Sequence, residues 1–109
     1  HSGDIKKEII TVGDLSIDTS TLKVNRADKE LLITPIGLRI LSVLMRAYPA
    51  VVSRRELERQ VWGDILPDSD TLRSHLYNLR KVVDKPFDKN LLLTVQGSGF
   101  KIIDPNETS

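Results

Sequence analysis

Between residues 9 and 33, apolar and polar side chains alternate in short runs, broken by Gly13-Asp14, by 18–20 and by 25–28. Alternation with a period of two marks strands with one buried face, and Gly, Asp, Asn and Ser punctuate the turns between them. The pattern predicts four strands, at 9–12, 15–17, 22–25 and 30–33, joined as a small antiparallel meander. From Thr34 the period changes. Leu38, Leu41, Leu44 and Met45 recur at helical spacing, and Ile40 and Val43 widen the stripe. Thr34 is a good N-cap. Pro35 suits the first helical position, where its missing donor would be unsatisfied in any case. This helix is expected to be the most buried, and Pro49 ends it.

Ser53-Arg54-Arg55-Glu56 reads as a capping box, in which Ser53 caps the next helix and Glu56 reaches back to it. The helix runs through Leu57 and Val61 to Trp62, with Gly63 at its C′ position. After a loop at 63–67, Asp68 or Ser69 caps a third helix that extends to Asp84, and Pro86 stops it from running on. Leu72, Leu76, Leu79 and Val83 are spaced four, three and four apart. At about 100° per residue they fall within roughly 60°, a narrow stripe that must pack on a core. Two short strands, 91–96 and 100–103, flank Gly97-Ser98-Gly99 as a hairpin. No nucleotide-binding fingerprint surrounds those glycines, so they read as the turn itself. The tail at 104–109 reads as frayed. His1-Ser2-Gly3 reads as a tag remnant, leaving 4–109 as one domain with its core at about 9–103.

The totals narrow the chemistry. A chain of 109 residues with 39% hydrophobic content suits a single domain with a modest core. With no cysteine there is no disulfide, thiolate metal site or thiol nucleophile, which suits a reducing compartment. No apolar run approaches the roughly 18 residues of a membrane span, and no signal-peptide pattern is present. Apart from the first residue there is one histidine, with no ligand cluster and no nucleophile–base pair beside it. These features argue against an enzyme and imply no metal and no cofactor.

Charge becomes informative when it is divided along the chain. The net formal charge is +1, yet residues 73–89 hold five basic and two acidic groups, while 53–72 hold three basic and five acidic ones. Positive charge therefore gathers on and just after the third helix. The side of that helix away from its leucines carries Arg73, Ser74, Tyr77, Asn78, Arg80 and Lys81, and no Glu. A merely solvated face more often alternates Glu with Lys. This one offers cations for phosphates and amide or guanidinium groups for base edges. A B-DNA major groove, about 12 Å wide, admits one such helix.

Two helices joined by a turn and followed by a hairpin are the parts of a winged helix-turn-helix. The sequences ITP (33–35), SRREL (53–57), VWG (61–63), LRSHLYNLRK (72–81) and TVQGSGF (94–100) stand in order and at the spacing of one family. By these motifs the chain resembles the C-terminal DNA-binding domain of OmpR/PhoB-family two-component response regulators, over nearly its whole length.

The resemblance implies an α+β winged helix-turn-helix: an N-terminal four-stranded antiparallel sheet, three helices and a C-terminal β-hairpin wing. It implies sequence-specific binding of double-stranded promoter DNA to control transcription from the cytoplasm. The helix at 69–84 would enter the major groove and the hairpin at 91–103 would lie near the minor groove. The loop carrying Asp64, Ile65, Leu66, Pro67 and Asp68 would face RNA polymerase. A phosphorylatable receiver domain would control dimerisation, and two domains would bind direct repeats in tandem.

By residue, the resemblance assigns Thr71, His75 and Arg80 to the DNA backbone, and Arg73 and Asn78 to base edges. For Thr71 the rival is local capping, and for His75 a half-buried packing role. Tyr77, Ser74 and Lys81 complete the face, and Trp62 belongs to the core. Two positions depart from the family. Asp70 stands where an Arg often contacts the backbone, and its carboxylate suits the helix N-terminus instead. Gln96 stands where the wing often carries an Arg; it can bond base edges but brings no charge. Both predict a smaller electrostatic share of binding than in a typical relative. The alternatives are a winged helix that binds protein, or the same DNA-binding domain on a membrane-anchored regulator. An exposed face of cations and amides argues against the first.

Overall fold

A computed structural model of the chain describes residues 8–65 and 69–104, with Ser69 described by its backbone alone. The sequence-based expectations for His1-Ser2-Gly3, for a cap at Asp68 or from the Ser69 side chain, and for the tail beyond Asp104 lie outside that description. Four strands come first: β1 (Ile9–Val12), β2 (Leu15–Asp18), β3 (Lys23–Arg26) and β4 (Lys29–Leu31), an antiparallel meander in sequence order. Three helices follow, α1 (Pro35–Ala47), α2 (Arg54–Trp62) and α3 (Ser69–Val83). Strands β5 (Leu92–Val95) and β6 (Gly99–Ile102) form the closing hairpin. The expected architecture is therefore present, with shifts at several boundaries.

The largest shifts have local causes. Leu22, expected in the third strand, sits at φ 61° in the preceding turn and is 63% exposed. The Asp18 carboxylate caps that turn, accepting from the Ser20 N–H at 2.9 Å and the Thr21 N–H at 3.3 Å, and the Leu22 N–H donates to the Asp18 carbonyl at 2.7 Å. Pairing then starts at Asp18 with Lys23. At its other end β3 runs one residue further than expected, to Arg26. Ala27 and Asp28, both at positive φ, form a two-residue loop whose twist matches a hairpin. β4 is correspondingly early, at Lys29–Leu31 rather than 30–33, because its last partner on β3 is Val24. Leu32 is left 86% exposed. α3 ends at Val83 rather than Asp84, and β5 and β6 each begin or end within a residue or two of the expected limits.

The caps behave as their chemistry requires, with one correction. The Thr34 side chain accepts from the Gly37 N–H at 3.1 Å, and the Ser53 side chain accepts from the Glu56 N–H, also at 3.1 Å. The Glu56 carboxylate, however, does not complete a capping box. It accepts instead from the Arg59 guanidinium at 2.6 Å and from the Gln60 amide at 2.8 Å. A guanidinium one turn ahead is a stronger donor than a neutral backbone amide. Gly63 takes φ 71° as a C-terminal glycine should, and its N–H donates to the Arg59 carbonyl.

One core joins every layer. Val12, Leu15, Ile17 and Val24 face inward from the sheet, and Ile40, Leu41, Leu44 and Met45 from α1. Leu57 and Val61 come from α2, and the α3 stripe Leu72, Leu76, Leu79 and Val83 is buried as its spacing predicted. Leu91, Leu92 and Ile102 bring in the hairpin. Leu38 and Val43 of α1 are only partly buried, at the margin of this cluster. The consequence for function is geometric: with its leucines locked inward, α3 must turn its other side to solvent.

Candidate nucleic-acid interface

The fifteen residues of α3 span about 22 Å at 1.5 Å per residue, enough to lie along a major groove. Arg73, Ser74, Tyr77, Asn78 and Lys81 are all exposed on it, Tyr77 to 60%. Arg80 and His75 are half-buried. The helical wheel explains this, because they sit roughly 70° to either side of the centre of the apolar stripe. His75 turns toward α2, where its ring lies 5.9 Å from that of Trp62 at an angle of 44°. That is the packing side of the alternative left open for it. Thr71, in the first turn, is also half-buried.

Arg80 leans the other way, toward the hairpin, where its guanidinium donates to the Thr94 hydroxyl of β5. Helix and hairpin thereby form the two walls of a groove of about 360 Å³, lined by Arg54, Arg73, Tyr77, Arg80, Thr94 and Phe100. A second groove, of about 300 Å³, lies on the other side of Tyr77 and Arg80 and carries Lys81, Lys85 and Asn90. The Lys81 ammonium sits over the Tyr77 ring, 4.7 Å from its centroid. A cation over the face of an aromatic ring is attracted by its quadrupole. Gln96 is exposed at the hairpin turn, and Asp64 and Ile65 are exposed after α2, Ile65 to 84%. Leu66, Pro67 and Asp68 lie outside the described residues.

The hairpin is fixed by a contact that local patterns do not disclose. Val52, in the loop between α1 and α2, exchanges two backbone hydrogen bonds with Phe100 of β6, at 2.8 and 2.9 Å. Gly99, at φ 146°, lies so close to this bridge that a Cβ on it would meet the Val52 carbonyl oxygen at 2.1 Å. The glycine before Phe100 is thus a packing requirement as well as part of a turn.

Electrostatics separates the two helices of the helix-turn-helix. On α2, Arg59 pairs with Glu56 and Arg54 with Glu58 at 3.3 Å. The Arg59 guanidinium, with help from Gln60, holds the Glu56 carboxyl below its ordinary pKa, and Glu56 raises that of Arg59 in turn. On and after α3, Arg73, Arg80, Lys81 and Lys85 have no carboxylate within 4.0 Å among the described residues. Two of the three cations of α2, Arg54 and Arg59, are paired within the helix, whereas those of α3 have no carboxylate partner among the described residues. Arg54 and Thr94 were missed as members of this surface. Arg54 reads locally as a residue after a cap, and Thr94 as one more strand residue.

Comparison with known proteins bears on the same residues. The family described as "Transcriptional regulatory protein, C terminal" matches residues 28–102. The DNA-binding response regulator MtrA of Mycolicibacterium smegmatis is 35% identical over 104 residues, 94% of this chain and 46% of that protein. The phosphate regulon transcriptional regulatory protein PhoB of Rhizobium meliloti is 31% identical over 100 residues, 91% of this chain and 44% of that one. The DNA-binding domain of the response regulator AdeR, solved in complex with an intercistronic region, superposes with a TM-score of 0.75 at 27% identity, covering 88% of this chain and 99% of that one. The chain spans about half the length of the curated relatives it matches, from 41% to 48%.

Proposed function

The chain belongs to the family of transcriptional regulatory protein C-terminal domains, as a winged-helix effector domain of the OmpR/PhoB type, and on that premise we propose that it binds double-stranded promoter DNA sequence-specifically as the output domain of a response regulator. The observation that carries the reading is the cationic face of α3, which has no carboxylate partner among the described residues and is set beside the hairpin, while two of the three cations of α2 are paired within that helix. An anionic groove partner supplies what that face lacks.

In this reading α3 lies in the major groove. Asn78 and Arg73 address base edges, Asn pairing with adenine through two hydrogen bonds. Thr71, Ser74, Tyr77, Arg80 and Lys81 meet the sugar-phosphate backbone, which sets position and not sequence. His75 acts mainly through Trp62, bracing α3 against α2. Gln96 brings the hairpin turn to the minor groove. Asp64 and Ile65, exposed after α2, face RNA polymerase together with Leu66, Pro67 and Asp68. A receiver domain in the whole protein governs tandem dimerisation on direct repeats, and the protein works in the cytoplasm. Among the described residues no helix is long and apolar enough to cross a membrane.

Selection of bound sequences from random duplexes, followed by a mobility shift across a salt series, tests the core of this. Enrichment of one motif and affinity that falls steeply with salt are expected. Recovery of no motif, with binding insensitive to salt, would overturn it.

A further inference from the structure

Arg26 is the most conspicuous group that the DNA-facing surface does not use. It points inward from the last position of β3 and is 2% exposed. All three nitrogens of its guanidinium donate. It donates to the Asp14 carboxylate at 3.1 Å, to the Val83 carbonyl, to the Asp84 carboxylate at 3.4 Å and to the Lys89 carbonyl. Its planar face stacks on Phe87, 4.4 Å from the ring centroid. Apart from Asp14, in the turn between β1 and β2, these partners lie at the C-terminal end of α3 and along the loop that leads to β5.

Asp84 carries the connection onward. It is 4% exposed, and its two oxygens accept from the Leu91 N–H at 2.9 Å and the Leu92 N–H at 3.2 Å. Those are the amide just before β5 and the first amide of β5. Removing the counter-charge of a buried carboxylate is strongly destabilising, and Arg26 is the cation that pairs with it among the described residues. The same guanidinium sits over the carbonyl end of α3, where a cation complements the helix dipole.

We propose that Arg26 is a positioning residue for DNA recognition: acting through Asp84, it fixes the root of β5 and so sets where the wing stands beside α3. The inference rests on the DNA-binding reading. β6 has its own anchor in the Val52–Phe100 bridge, so the hairpin is held on two sides, and Arg26 controls the side continuous with α3. A residue of the N-terminal sheet, 57 to 63 positions away in sequence from Val83, Asp84 and Lys89, thereby governs the hairpin's contact with the minor groove.

The test uses the whole chain carrying Arg26→Met, with Arg26→Lys as the conservative partner, each with and without Gln96→Arg at the wing tip. In the unaltered background Gln96→Arg should tighten binding to a selected duplex several-fold. In the Arg26→Met background that gain should fall to less than half, while base preference at the position read by Asn78 stays as it was. Arg26→Lys, which keeps the counter-charge, should recover much of the gain. A full Gln96→Arg gain on Arg26→Met would overturn the proposal, because a wing that stands unchanged does not depend on Arg26.

Amide exchange in the unaltered chain judges the same claim even where Arg26→Met does not fold. The Leu91 and Leu92 amides should exchange as slowly as those of Leu41 and Leu44 in α1. Exchange as fast as at Gln96 would overturn the proposal. If no duplex is bound by any variant, the DNA reading has failed, and the exchange result still decides whether Asp84 holds the root of β5.

Discussion

Replacing Gly99 by Ala asks how firmly the hairpin is seated. Three backbone atoms stand in the way of the new methyl: the Val52 carbonyl oxygen at 2.1 Å, its carbon at 2.7 Å and the Ser53 Cα at 2.8 Å. No rotamer relieves a clash with backbone, so either β6 or the loop holding Val52 must move. Holding Ala at φ 146° costs about 1–3 kcal/mol, since only glycine adopts such a backbone easily. Opening the Val52–Phe100 bridge forfeits two backbone hydrogen bonds, each worth about 0.5–1.5 kcal/mol net. The two together come to about 2–6 kcal/mol, a large part of the roughly 5–15 kcal/mol that stabilises a typical domain. With a urea m-value of about 2 kcal/mol/M, the midpoint should fall by about 2 M.

Gly97→Ala is the internal control. Gly97 also has positive φ, at 78°, but a Cβ there would meet nothing within 4 Å. Its cost should be the backbone part alone, about 1–2 kcal/mol. Urea titrations of the three proteins, followed by far-UV circular dichroism, provide the comparison. A Gly99→Ala midpoint no lower than that of Gly97→Ala would refute the claim that close approach to Val52, and not turn conformation, demands the second glycine.

The remaining predictions concern recognition and one carboxyl group. Asn78→Ala should relax preference at a single base position and cost about 1–3 kcal/mol on the best site; a uniform loss over all duplexes, read from binding to a panel of single-base variants, would remove Asn78 from base reading. Gln96→Arg should tighten binding and steepen its salt dependence, by up to about 0.9 in log–log slope for one further phosphate; an unchanged slope in fluorescence anisotropy would mean that the wing tip stays off the duplex. Glu56 should titrate below its ordinary value, because Arg59 and Gln60 hold its ionised form. A lowered folded-state pKa means that this pairing contributes stability at pH above the unfolded value and loses it as pH falls through the folded one. Carbon-detected NMR titration should show the Glu56 midpoint rising toward its ordinary value in Arg59→Ala, and an unmoved midpoint would refute the pairing.

The fold was legible wherever the deciding interactions are short-range. Period-two runs before Thr34, helical stripes after it and the glycine turn at 97–99 located all nine described elements, and Thr34, Ser53 and Gly63 marked helix ends. The four, three, four spacing of Leu72, Leu76, Leu79 and Val83 was enough to say which side of α3 is buried and, by subtraction, which side is displayed. Each of these features depends on residues within a turn or a pleat of one another, so neighbouring letters carry the information. The Glu56 misreading belongs to the same scale: two donors one turn away compete for a carboxylate, and a motif that names only Ser and Glu leaves out the competitor.

What stayed hidden depends on which elements come to lie together. Arg26 reads as a polar residue near a turn until β3 runs one position further, its inward face meets the end of α3, and Asp84 and the loop carbonyls close around it. Arg80 reads as a phosphate ligand, and only docking of the hairpin gives it Thr94 as a second partner. Gly99 reads as turn chemistry until the loop at Val52 is brought against it. The chain's local order therefore determined the elements, their buried faces and the chemistry on display. The packing of sheet, helices and hairpin decided how that chemistry is held, because hydrogen bonds between groups distant in sequence form only after hydrophobic burial has paired their elements.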